Sequence, residues 1–290
     1  MSMVVAAMML VALSTQAYAA HDDDKIDISL LGGDVAPGVW TNWSFDQATN
    51  TITVTDNVTI FYIIDGAING KTLIIDNTAN KTVTWETQYR GTLNKVGPDN
   101  KYLVLMTGSG VLNIIDYAVI YQYGDSGAVL AGNSTVNVSG NSIVSSEATD
   151  AAPHAHTIVG EVVTVSDNAQ VICESDGSAI WFTKSITISG NALVSSSSGT
   201  TIYCGFAGPN PTSTVTVEGG TVESGSGTAI YANSSSVIVN GGVVRTTSSY
   251  AIFAGSDSGT VTINGGEVIS TSGTSIRASA LLSLKLLLSA

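Results

Sequence analysis

Few places in this chain could do chemistry. His154 and His156 alternate around one alanine, with Glu147 and Asp150 close by. Imidazoles and carboxylates at such spacing can hold a transition metal, but next to Pro153 the stretch reads as a loop carrying two solvated histidines. The segments 174–177 (ESDG) and 257–259 (DSG) read as polar corners, because the full ligand series of a calcium loop is missing. No glycine-rich phosphate loop follows a strand pattern. Four aromatic residues are more informative. Trp181, Tyr203, Tyr231 and Phe253 each stand two places after a small residue that precedes an isoleucine. Flat apolar rings with polar handles can stack on sugars, so these four are the candidate ligand-binding residues and a glycan the candidate ligand. No catalytic group, metal set or cofactor is expected.

The elements that would position those rings are repeats. TVNVSGN (135–141), SITISGN (185–191), TVTVEGG (214–220), SVIVNGG (236–242) and TVTINGG (260–266) are copies of one unit. VVTVSDN (162–168) has Asp in place of the first glycine, and LNIIDY (112–117) is a degenerate copy. The turn positions Asp116, Gly140, Asp167, Gly190, Gly219, Gly241 and Gly265 are separated by 24, 27, 23, 29, 22 and 24 residues. Gly, Asn and Asp suit a sharp corner because they reach positive φ at least cost. After each turn comes Ala128-Val129, Thr157-Ile158, Ala179-Ile180, Thr201-Ile202, Ala229-Ile230, Ala251-Ile252 or Ser275-Ile276.

A unit of this length is too short for a propeller blade, which needs roughly 40 residues, and shows no helical period. The spacing predicts an all-β fold, a right-handed parallel β-helix (β-solenoid) with coils of about 22–24 residues stacked about 4.8 Å apart. The inward residues are then Val136/Val138, Val163/Val165, Ile186/Ile188, Val215/Val217, Val237/Val239 and Val261/Ile263. If the isoleucines point inward, alternation turns the four aromatic residues outward; an aromatic stack inside the helix, or a strip covered by the insertion 205–212, is the other reading. Alternation also makes an outward hydroxyl array around Thr164, Thr187, Thr216 and Thr262, interrupted by Val162 and Ile238. Glu218 is followed in its column by Asn240 and Asn264, and Glu223 by Arg245 and Ile269. On this reading no two acids share a column on consecutive regular coils. Cys173 and Cys204 fall at different places in the repeat and read as small packing residues.

The pattern V-x-V-x-G-G-x-V followed by G-x-A-I-Y, clearest at 214–231 and 236–253, resembles bacterial right-handed parallel β-helix surface repeat proteins. These are pectate-lyase-like in fold and of adhesin-like or carbohydrate-binding type. The opening WSFD (43–46) and NTITV (50–54) also look like the start of such proteins, and the resemblance covers roughly residues 40–278. It implies secretion, surface attachment and glycan contact. Enzymes of this fold place carboxylates on neighbouring coils with calcium and a basic residue, or use paired aspartates and a Gly-His-Gly segment. This chain shows neither set, nor a wall-sorting motif.

Composition agrees with an elongated β protein. Only 11% of the 290 residues are charged, against about 25% in ordinary domains. A net charge of −13 disfavours nucleic acid and anionic lipid as partners. Residues 1–100 hold four serines and residues 101–290 hold thirty-two, which marks the start of the regular repeats. The apolar run from Met3 to Leu13, followed by Ala17-Tyr18-Ala19, reads as an export signal, although no Lys or Arg precedes it. The expected organisation is a signal peptide at 1–19, an N-terminal cap at 20–48 with Pro37, Trp40 and Trp43, the β-helix at 49–278 and a C-terminal cap or tail at 279–290. The apolar tail from Ala280 to Leu288 is too short to span a bilayer. The expected protein is a monomer, secreted or on the cell surface, without a membrane span in its mature chain. It binds a polysaccharide or cell-surface glycan without catalysis. A polysaccharide lyase or hydrolase, and a structural or ice-binding solenoid, are the alternatives.

Overall fold

Short alternating strands separated by glycine and asparagine corners wind into a parallel β-solenoid of about eight turns, seen in a computed structural model. The structure describes residues 25–27, 38–39, 42–61, 72–93, 102–148, 156–204, 213–232, 235–255, 259–279 and 282–284. The export signal, Pro37, Trp40, His154, segment 205–212 and the end of the apolar tail lie outside the described residues. Among those described there is no helix, and none therefore long and apolar enough to cross a membrane.

Each regular turn has three strands on three faces. The valine face stacks Thr82–Trp85, Val111–Ile114, residues 135–138, 162–165 and 185–188, Thr214–Val217, Ser236–Val239 and Thr260–Ile263, all parallel and in register. The second face is an eight-stranded sheet of its own: Gln88–Thr92, Val119–Tyr123, Ile143–Ser146, Gln170–Cys173, Leu193–Ser196, Thr221–Ser224, Val243–Thr246 and Glu267–Ser270. The third face carries the small-residue–Ile motif and leads back to the next valine strand.

The inward set is as the alternation predicts. From Val136 to Val261 every residue named above is fully buried, and only Ile263, in the last turn, is partly open. β-Branched side chains suit this pleated, enclosed surface. A second inward column is polar. Ser196, Ser224, Thr246 and Ser270 donate their hydroxyls to the carbonyls of Gly177, Gly199, Gly227 and Ser249, at 2.8, 2.8, 2.7 and 2.8 Å. Cys173 holds the same column, its Sγ donating to the Ala148 carbonyl at 3.3 Å. Both cysteines are free and buried, and burial pushes the Cys173 thiol above its ordinary pKa.

The corners differ from expectation in the later turns. In residues 139–142, 166–169 and 189–192 the corner has four residues, and positive φ falls on Gly140, Asp167 and Gly190. In 218–220, 240–242 and 264–266 it has three, and positive φ moves to the second glycine: Gly220, Gly242 and Gly266. The lost position is the buried small residue that ends the longer corner, Ser142, Ala169 or Ala192. Gly220 consequently lies against the preceding turn, where a Cβ would meet the Ala192 carbonyl oxygen at 2.4 Å.

At the N-terminal end the parallel order breaks. Trp43–Asp46 runs antiparallel to both Gly38–Val39 and Thr51–Val54, and the last of these joins the parallel stack beside Leu73–Asn77. Trp43 and Phe45 are buried in the core there.

Candidate functional site

Trp181, Tyr203, Tyr231 and Phe253 occupy one column on the third face, register-paired from turn to turn. Their neighbours Ile180, Ile202, Ile230 and Ile252 are fully buried and the four rings are half-buried, so the column faces outward. Tyr203 and Tyr231 lie 5.2 Å apart with 6° between planes, and Tyr231 and Phe253 lie 4.9 Å apart at 8°. Isolated rings avoid this sandwich. Here the distance between turns imposes it. Tyr203, Tyr231 and Phe253 therefore cover one another's faces, and this part of the column presents ring edges to solvent. The Arg277 guanidinium closes its far end, 5.3 Å from the Phe253 centroid. His156 corrects the expectation of a solvated loop histidine. It opens the strand His156–Val165, is 5% exposed, and stacks 6.2 Å from Trp181 and 6.3 Å from Tyr203.

A second site, which the sequence reading did not assemble, lies on the second face. A groove of about 490 Å³ crosses four turns between Ser195 and Thr271. One wall is the paired column Ser195, Glu223, Arg245, Ile269. The other follows the strand ends: Ser197, Gly225, Thr247, Thr271. Arg245 Nε donates to Glu223 Oε2 at 2.7 Å and Arg245 Nη2 contacts the same oxygen, so this acid and base neutralise each other. Ile269 adds an apolar patch, 41% exposed. Beneath them the inward hydroxyls Ser196, Ser224 and Thr246 are tied to corner carbonyls, which fixes the floor.

Upstream, the same strand-end column carries Tyr123, Glu147 and Glu174, whose backbone amides bond from turn to turn. This overturns the expectation that no two acids share a column on consecutive coils. It was missed because 147 and 174 are separated by an insertion that disguises their register. Glu147 accepts the Gly124 amide at 3.1 Å, and Glu174 accepts the Ser145 hydroxyl at 3.0 Å. Burial, and then the hydrogen bond and charge of Glu174, push the Tyr121 phenol above its ordinary range. Among the described residues no three His, Cys, Asp or Glu side chains converge as a metal set would.

The hydroxyl array on the valine face is in register, but its column runs Asn113, Asn137, Thr164, Thr187, Thr216, Ile238, Thr262. Only three threonines are consecutive.

The fold defines a parallel β-solenoid. No protein-family model, curated protein or solved structure matches the chain.

Proposed function

We propose that this solenoid is a secreted or cell-surface, adhesin-like protein that binds a polysaccharide or surface glycan without catalysis. The observation that carries the reading is the groove on the second face. It is long, open, lined by hydroxyls together with one ion pair and one apolar patch, and set on a floor already fixed by hydrogen bonds. Hydroxyl-rich walls suit a ligand whose own surface is mostly hydroxyl, and a rigid floor lowers the ordering cost of binding. Repetition along the turns adds weak contacts into useful avidity. The aromatic column is the second candidate surface. With the faces of Tyr203, Tyr231 and Phe253 covered by one another, it offers ring edges.

The lyase or hydrolase alternative draws on Glu223 and Arg245, the ionisable residues among those lining the groove. The two are bonded to each other, so the guanidinium is not presented to a substrate as a base.

A glycan array read with the parent chain, Arg245→Ala and Trp181→Ala tests the reading. Binding weakened by Arg245→Ala and kept by Trp181→Ala assigns the groove. The reverse assigns the ring column. Absence of any glycan binding, or release of shortened glycan by the parent chain with or without calcium, would overturn the proposal.

A further inference from the structure

Resting on the glycan-binding reading, we infer that the groove takes an uncharged, extended β-linked glycan lying along the solenoid axis, with one sugar per turn. The groove is a lane of repeated positions. Ser195, Glu223, Arg245 and Ile269 follow one another in register on four consecutive turns, and Ser197, Gly225, Thr247 and Thr271 line the opposite side in the same order. Successive positions are separated by the turn spacing of about 4.8 Å. A hexose chain linked through equatorial bonds is a flat ribbon that advances by nearly this length per sugar. A coiled glycan such as an α-1,4-glucan turns away from the lane within a few residues. Matched spacing brings each ring to the same place on its own turn, between one residue of each wall.

Charge selects further. The lane's acid and base are spent on each other, so among the described residues lining it no unpaired cation waits for a uronate. The chain as a whole carries −13, and a polyanion approaching it is repelled. An uncharged glycan escapes that repulsion and still finds hydroxyl partners. Ile269 at the last turn gives the C–H face of a terminal sugar an apolar surface.

The test is calorimetric titration of the full chain with β-1,4-gluco-oligosaccharides of two to six units. α-1,4-Gluco-oligosaccharides and oligogalacturonates of equal length serve as comparisons. Affinity should climb several-fold per sugar up to about four units and then level off. The coiled and the acidic series should bind at least about tenfold more weakly. Thr247→Arg, which fills the lane from an exposed position, should abolish the climb. Thr187→Arg on the valine face should leave it intact, with both variants melting near the parent. Equal affinity for extended and coiled series, or affinity independent of length, overturns the one-sugar-per-turn inference while leaving glycan binding standing. Binding of none of these sugars, together with a blank array, removes the glycan reading and this inference with it.

Discussion

Val215 and Thr216 are adjacent, yet their surroundings are opposite: Val215 is fully buried and Thr216 is half-exposed. Val215→Asp would place a carboxylate among Ile186, Val237 and their stacked neighbours, where it has no partner. The expected cost is roughly 4 kcal/mol or more. Thr216→Asp leaves its charge in water and should cost well under about 1 kcal/mol. Urea denaturation of the two variants measures the difference, and equal midpoints would contradict the inward assignment. At the same scale, the Glu223–Arg245 pair is partly exposed, and exposed pairs contribute little to stability. Arg245→Ala should therefore leave the fold standing while it frees the Glu223 carboxylate in the groove.

Corners are the elements that decide how closely turns lie. Their asparagines form ladders: Asn168 donates to Asn141 and Asn191 to Asn168, each at 3.1 Å, and further on Asn240 donates to Glu218 and Asn264 to Asn240, at 2.9 and 2.8 Å. In the shorter corners the second glycine combines a φ near +73° at Gly220 with contact against the turn above. Gly220→Ala meets both penalties, the left-handed backbone and a clash with a carbonyl that cannot swing aside. It should cost about 2 kcal/mol or more, seen as a lowered thermal midpoint. A midpoint equal to the parent's would show that the corner can open without loss.

At the scale of the whole molecule, each turn is supported by the turns on either side, so stability should fall toward the ends. Val217 in the middle is fully buried, whereas Val268 in the last regular turn is only partly covered. Val217→Ala should cost roughly 2 kcal/mol and Val268→Ala distinctly less. Hydrogen exchange should show the same gradient, with amides of Glu267–Ser270 exchanging before those of Thr221–Ser224. Uniform protection from end to end would mean that the stack unfolds as one unit.

Alternation left Trp181, Tyr203, Tyr231 and Phe253 either outward or stacked inside, but the solenoid and its inward valines were legible in the residues. They depend on alternation and a repeat near the length of one turn, and both are local properties of the chain. Single-residue changes in corner length were not legible, since either glycine of a Gly-Gly pair can take positive φ. Nor was the burial of His156, which lies just beyond an insertion. What only the tertiary structure decided is which side chains from different turns become neighbours. Glu147 and Glu174 share a column, Tyr203, Tyr231 and Phe253 cover one another's faces, and Ser195 to Thr271 form a lane. The physical reason is that the turn spacing sets every one of these distances. That spacing comes from backbone hydrogen bonds between turns, made by groups that all residues carry alike.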